Sequence, residues 1–94
     1  MVYTVYRIKT KNFAYIGSTS NYKLRISQHK HNCNTEKNKE YPRKLYRTIR
    51  SNGGWETADI SILCKAKTKR NARQKEEKLR KKERPDLNIR KAVR

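Results

Sequence analysis

The chain has 94 residues, enough for one small domain with a limited core, and 36% of the residues are charged against 33% that are apolar. Twenty-six Lys and Arg residues against eight Asp and Glu residues give a formal net charge of +18 at pH 7, which favours polyanions and makes nucleic acid the first candidate partner. No apolar run approaches the roughly 20 residues of a membrane-spanning helix, and the N-terminus lacks the apolar segment of a signal peptide, so an intracellular protein without membrane contact is expected.

The first predicted element is a strand over residues 2–8, whose mostly β-branched and aromatic side chains alternate between two faces. A polar connector of hairpin length at residues 9–12 leads into a second strand over residues 13–16, which is expected to run antiparallel to the first. Gly17 is expected to end this second strand, at a point where the backbone bends.

A basic helix is predicted over residues 21–31. The four residues 18–21 are Ser, Thr, Ser and Asn, all of which are favourable helix N-caps. Arg25 and His29 stand four positions apart and therefore share one face of this helix. A polar loop over residues 32–39 follows.

A second helix is predicted over residues 41–50, with Pro42 in its first turn. Its apolar stripe is expected to face the core. The stripe consists of Leu45, Tyr46 and Ile49. The sequence Asn52-Gly53-Gly54 is a strong C-terminal stop for this helix.

A third strand is predicted over residues 55–63. Apolar and polar residues alternate there, so one face should be buried and the other should be polar. The apolar set is Ala58, Ile60 and Ile62.

A third, heavily basic helix is predicted over residues 68–84. Its sparse inner stripe contains Ala72, Glu76 and Leu79, so an acid lies on the face that carries the apolar residues of the helix. Glu77 points about 100° away, toward the basic solvent side.

The predicted order β-β-α-α-β-α indicates an α+β domain, a small three-stranded antiparallel sheet flanked by about three helices. Residues 1–90 form one domain, in which residues 87–89 add a short strand or docking turn, and residues 91–94 are a basic tail. Residues 65–94 carry fourteen Lys and Arg residues against four acids, so the positive charge is concentrated in the C-terminal third.

The two cysteines, Cys33 and Cys64, form no CxxC motif and are expected to be free thiols in an intracellular chain. His29, His31 and Cys33 alternate along the chain, so a zinc-stabilised interaction module that also uses Cys64 is one alternative. Zinc sites prefer longer spacings within a ligand pair, which argues against it.

Five motifs follow one another along the chain. They are Thr4-Val5-Tyr6, then Tyr15-Ile16-Gly17-Ser18-Thr19, then Arg25 with His29, then Asn52-Gly53-Gly54-Trp55 with the strand after it, and finally Glu76 followed by Leu87-Asn88. In this order and spacing they resemble the GIY-YIG nuclease family, although the first motif is Thr-Val-Tyr where the family has Gly-Ile-Tyr.

The resemblance implies a metal-dependent DNA endonuclease. It assigns Tyr6 as the base, Tyr15 as its partner on water and phosphate, Arg25 as the group that stabilises the scissile phosphate, and His29 as a proton relay or phosphate ligand. It also implies that Glu76 holds one Mg²⁺ or Mn²⁺. A tyrosine has an ordinary pKa of about 10, so a basic role requires cationic neighbours, which the net charge is expected to supply.

The resemblance further implies a set of nucleic-acid contacts, and Gly17 is expected to let DNA approach the backbone closely. The set is Gly17, Ser18, Lys23, Lys30, Asn88 and Arg90. DNA is the expected partner. The chain is expected to be a stand-alone nuclease of low specificity, a domain of a longer protein, or the catalytic part of a complex in which a separate DNA-binding domain or partner protein supplies specificity. Two alternatives stay open: Glu77 in place of Glu76 as the metal ligand, and a basic DNA- or RNA-binding module without catalysis.

Overall fold

The chain adopts the predicted order of elements around a three-stranded antiparallel sheet. The computed structural model describes residues 2–11 and 13–83. The elements are β1 (Tyr3–Thr10), β2 (Phe13–Thr19), α1 (Tyr22–Asn34), α2 (Lys44–Ser51), a 3₁₀ turn (Trp55–Thr57), β3 (Asp59–Ala66) and α3 (Lys69–Glu83). The α+β prediction is therefore confirmed, whereas the element expected at residues 87–89 and the basic tail lie outside the described residues.

β1 is the central strand of the sheet, with the order β2-β1-β3 and antiparallel pairing on both sides. Tyr6 stands opposite Gly17 of β2 and opposite Ile62 of β3. The pairing with β3 shifts by one residue between Val5 and Tyr6, because Val5 pairs with Cys64. A β-bulge of this kind bends the sheet locally beside Tyr6.

Each face of the sheet carries its own hydrophobic cluster, and β1 contributes buried side chains to both. The first cluster joins β1 to α1 and α2 and consists of Tyr6, Ile8, Cys33, Leu45, Tyr46 and Ile49. The second joins the sheet to α3 and consists of Val5, Ile16, Ala66 and Ala72. Leu79 packs against the second cluster, which confirms the predicted inner stripe of α3. The sheet therefore lies between α1 and α2 on one side and α3 on the other.

The start of the third strand was predicted too early. Gly53 and Gly54 have φ values of 113° and 89°, and the chain continues from them into the 3₁₀ turn at Trp55–Thr57 before β3 begins. Ile62 is 47% exposed, contrary to the burial expected for its face. The reason is that β3 is an edge strand in this sheet, while the buried strand residues of the first cluster all come from β1.

The helix boundaries follow the capping residues. Asn21 is the N-cap of α1, and its side chain accepts a 3.2 Å hydrogen bond from the backbone nitrogen of Leu24, as the cap prediction required. The second helix begins at Lys44 rather than at residue 41, so Pro42 lies in the preceding turn. It ends at Ser51, with Asn52 as the C-cap.

Candidate active site

The strand pair brings Tyr6 and Tyr15 together on the α1 side of the sheet. Their ring centroids are 6.4 Å apart at an interplanar angle of 50°. The two residues are diagonal neighbours rather than direct partners, because Tyr6 pairs with Gly17 and Ile8 pairs with Tyr15. Tyr6 is only 1% exposed, whereas Tyr15 is half-buried and retains access to solvent.

Gly17 provides the space that the two tyrosine rings occupy. A Cβ atom at this position would lie 2.8 Å from Tyr6 Oη and 3.1 Å from Tyr15 Cε2. Gly17 is buried inside β2, which continues to Thr19. Contrary to both sequence expectations, Gly17 does not end the strand and does not expose its backbone for close approach of DNA. Its lack of a side chain leaves room for Tyr6, which lies directly over it.

Helix α1 places His29 against the Tyr6 hydroxyl. His29 is fully buried, and its Nε2 lies 2.7 Å from Tyr6 Oη. Its Nδ1 lies 2.8 Å from Tyr46 Oη, which also accepts a 3.2 Å hydrogen bond from Asn32 Nδ2. Burial keeps His29 away from direct contact with solvent, so this geometry suits the relay role better than that of a phosphate ligand.

Two tautomers of the buried neutral histidine fit the hydrogen-bond chain. In the first, Tyr46 accepts from Asn32 and donates to His29 Nδ1, while Nε2 donates to Tyr6 Oη. In the second, Nδ1 donates to Tyr46, whose oxygen can accept two hydrogen bonds, and the Tyr6 hydroxyl donates to Nε2. The second tautomer provides a direct path for the Tyr6 proton to His29.

Tyr46 is the residue of this site that the sequence did not identify as functional. It occupies the apolar stripe of α2 and is fully buried, as a core residue would be. The available signal was its hydroxyl, since a buried tyrosine hydroxyl requires a hydrogen-bond partner and Tyr46 was predicted to face the core.

Burial dominates the ionisation of the buried pair. It lowers the pKa of His29 to about 3, with the charges of Arg25 and Arg43 adding to the effect, so the imidazole is neutral at pH 7. Burial also raises the pKa of Tyr6 above its ordinary value, Tyr15 raises it further, and Arg25 opposes both. The positive charge of the chain therefore does not produce a phenolate at Tyr6 in this structure, contrary to the expectation.

Arg25 lies one helical turn before His29 and faces the same tyrosines. It is half-buried, and its Nη1 donates a 3.2 Å hydrogen bond to Gln28 Oε1. Its positive charge lowers the pKa of Tyr6 and so opposes the effect of burial, which places the guanidinium near the tyrosine hydroxyl. Two other predicted contacts on this helix, Lys23 and Lys30, are exposed.

Glu76 of α3 contacts β2, the other edge strand of the described sheet, from the face opposite to Tyr6. Its Oε1 accepts a 2.7 Å hydrogen bond from Ser18 Oγ, and its Oε2 lies 3.7 Å from Arg80 Nη1. Ser18 follows Gly17 in β2, so the two residues point to opposite faces. The candidate site therefore straddles β2, with Tyr6 above Gly17 on one side and Glu76 on the other.

The carboxylate of Glu76 is placed better for a metal than that of Glu77. Glu76 is 20% exposed and oriented by Ser18, whereas Glu77 is exposed on the outer side of α3. Residues 2–11 and 13–83 contain no group of three or more His, Cys, Asp or Glu side chains that could hold a metal. One oriented carboxylate fits Mg²⁺, which keeps several waters and takes further oxygen ligands from substrate phosphates.

The residues of the zinc alternative are separated in the fold. His29 and Cys33 are buried on the α1 side of the sheet, whereas Cys64 packs with the cluster on the α3 side. His31 is exposed, and its Nδ1 lies 3.2 Å from Thr35 Oγ1. The structure thus gives this alternative no common site.

Asn88 and Arg90, two of the predicted nucleic-acid contacts, lie outside the described residues. In the part of the chain that the structure covers, no helix has the length and apolar character needed to cross a membrane.

Comparison with known proteins agrees with the geometry. The family model of the GIY-YIG catalytic domain matches residues 1–90, nearly the whole chain. No curated protein and no solved structure matches the chain significantly. Because the family match covers both strands with the tyrosines and all three helices, the chain belongs to the GIY-YIG catalytic domain family, whose domain is a DNA-cleaving nuclease.

Proposed function

We propose that the protein is a metal-dependent endonuclease that hydrolyses phosphodiester bonds in DNA at the edge of β2. The observation that carries the proposal is the pair of short hydrogen bonds on either side of this strand. Tyr6 bonds to His29 over Gly17, and Glu76 bonds to Ser18 at the next residue. A phosphate at this edge would have a proton-transfer group on one side and a carboxylate for a metal on the other.

The proposed proton transfer runs through Tyr6 and His29. The Tyr6 hydroxyl lies 2.7 Å from His29 Nε2, and Arg25 adds a positive charge near the same oxygen. In the tautomer whose Nε2 is unprotonated, Tyr6 accepts the proton of the attacking water as its own proton passes to His29 Nε2, so the proton that the water loses is balanced by the one that the imidazole gains. Tyr15 is half-buried in the same cluster, where its hydroxyl orients the water and a phosphate oxygen.

Charge stabilisation at phosphorus is assigned to Arg25 and Glu76. A guanidinium binds two phosphate oxygens at once and stabilises the additional charge of the transition state. Glu76 holds Mg²⁺ or Mn²⁺, with Ser18 orienting the carboxylate. When bound, the metal acts as a Lewis acid on the phosphate and assists departure of the 3′ oxygen.

The proposed DNA contacts beyond the reacting phosphate are basic or polar groups. They are Ser18, Lys23, Lys30, Asn88 and Arg90. Lys23 and Lys30 are exposed on α1 and available to a backbone. Such contacts carry no sequence information. Recognition of a particular cut site is therefore assigned to a separate DNA-binding domain or partner protein.

The test is nicking of a supercoiled plasmid with Mg²⁺ or Mn²⁺, with EDTA as the metal-free control. Glu76→Ala should abolish nicking, and the matched variant Glu77→Ala, one residue away on the exposed side of α3, should retain it. The reverse result would assign the metal to Glu77. Absence of nicking by the unaltered protein with either metal, together with DNA binding, would favour the non-catalytic basic module.

A further inference from the structure

A cavity of about 300 Å³ adjoins the candidate site on the α3 side of β2. It is lined by Tyr3, Ser18, Thr19, Ser20, Lys69 and Arg73. Ser18 belongs both to this cavity and to the hydrogen bond with Glu76. The cavity therefore begins at Ser18, which orients the proposed metal ligand Glu76, and extends along the end of β2 to Ser20.

The cavity has the chemistry of an anion site. Lys69 and Arg73 are exposed and stand one helical turn apart on α3, so their charged ends reach the same region. Among the described side chains, neither cation pairs with a carboxylate. Ser20 contributes a further exposed hydroxyl group on the opposite wall.

We propose that this cavity, the Lys69–Arg73 groove, binds the DNA phosphodiester next to the one that is cut. The inference rests on the proposed function, since Glu76 defines where the reacting phosphate lies. A strand whose scissile phosphate sits at Ser18 has its neighbouring phosphate within the groove that starts there. Arg73 offers a planar fork to that phosphate, and Lys69 offers a mobile point charge.

The other side of α3 provides a matched control. Lys78 and Lys82 line a second cavity together with Leu63, Cys64 and Leu79, on the β3 side of the helix. Removing these two charges changes the net charge of α3 by the same amount as removing Lys69 and Arg73. A purely long-range effect of charge would therefore weaken DNA binding equally in both variants.

The experiment measures duplex DNA binding by fluorescence anisotropy in EDTA at several salt concentrations. The Lys69→Gln/Arg73→Gln variant should lose about 10-fold or more in affinity. The magnitude of its slope of log K against log salt should fall by about 1, since the groove binds one phosphate and each phosphate contact contributes ~0.9. The Lys78→Gln/Lys82→Gln variant should keep the slope of the unaltered protein. All four residues are exposed, and circular dichroism verifies that both variants fold.

Equal losses of DNA affinity in the two variants, or an unchanged salt slope in the Lys69→Gln/Arg73→Gln variant, would refute phosphate binding in the groove. Binding is read without metal, so a protein that fails to nick DNA in Mg²⁺ still gives a result here. Failure of the nuclease proposal and failure of the groove are therefore separate outcomes.

Discussion

Replacing Gly17 with alanine should destabilise the protein, although alanine is normally the better residue in a strand. The new Cβ would lie 2.8 Å from Tyr6 Oη and 3.0 Å from Tyr6 Cζ. Tyr6 has little freedom to move, because its ring is buried and its hydroxyl is 2.7 Å from His29 Nε2. The substitution therefore displaces Tyr6 and lengthens its hydrogen bond.

The opposing contributions can be compared in magnitude. Replacing glycine with alanine restricts the unfolded chain, which stabilises by about 0.4–1 kcal/mol where the backbone allows it. Overpacking of a filled core costs about 1–3 kcal/mol, and loss of a buried hydrogen bond costs about 0.5–1.5 kcal/mol more. The net effect is destabilisation by about 0.5–4 kcal/mol. Each kcal/mol lowers Tm by roughly 4–8 °C in a domain of this size.

Thermal and urea unfolding of Gly17→Ala measure this cost, with Ser20→Ala as the exposed control near the same strand end. The substitution is then repeated in a Tyr6→Phe background, which lacks the Oη atom. The cost of Gly17→Ala should be smaller there, and the difference is the coupling energy between the two positions. A stabilised Gly17→Ala protein, or an equal cost in both backgrounds, would refute the assignment of Gly17 as the space for the Tyr6 hydroxyl.

Three further predictions concern the same site. Tyr46→Phe leaves His29 Nδ1 without its hydrogen-bond partner and should lower the free energy of unfolding, measured in urea, by about 1–3 kcal/mol. Tyr22→Phe is the control, and an equal loss of unfolding free energy in both variants would contradict the role of the Tyr46 hydroxyl. The pKa of His29 is about 3 in the folded protein and about 6.5 in the unfolded chain, so protonation of the unfolded chain should lower stability as pH decreases from 6.5 toward 3, with no effect of this group above 6.5. The decrease in the urea midpoint between pH 7.5 and 4.5 should be smaller in His29→Gln. An identical decrease would show that this histidine does not cause the pH dependence. Ser18→Ala removes the donor that orients Glu76 and should raise the Mg²⁺ concentration needed for half-maximal nicking by about 10-fold; an unchanged Mg²⁺ requirement would show that Ser18 does not support the metal ligand.

The order of elements was predictable because the local signals agree with the packing. Alternation in β1, the Asn21 cap and the glycine stop after α2 each specify an element within a few residues. The start of β3 was not predictable in the same way. Trp55 is apolar and follows a turn, so it resembles a strand residue, but the positive φ of Gly54 leads into a 3₁₀ turn that only the three-dimensional path reveals.

The resemblance to the GIY-YIG family implied that Tyr6 and His29 belong to one site, and the structure places Tyr6 Oη 2.7 Å from His29 Nε2. The ionisation of these groups was not predictable in the same way. The ionisation was misjudged because net charge acts over a distance, while desolvation acts on the group itself and is larger for a buried side chain. Tyr46 was missed because an apolar stripe indicates which residues are buried but does not indicate the hydrogen-bond partner of a buried hydroxyl group.

The position of β2 at the edge of the described sheet explains how residues from opposite faces can serve one phosphate. Successive residues of a strand point to opposite faces, so Gly17 lies under Tyr6 while Ser18 reaches Glu76. In a central strand those two faces would be separated by the neighbouring strands. At an edge of the described sheet, a ligand can contact both faces of the strand. A slip of one residue in the pairing of β1 with β2 would exchange the faces of Gly17 and Ser18 and remove both interactions. The clash that excludes a side chain at Gly17 and the hydrogen bond from Ser18 to Glu76 therefore depend on the same register, and the edge strand is what joins the two halves of the site.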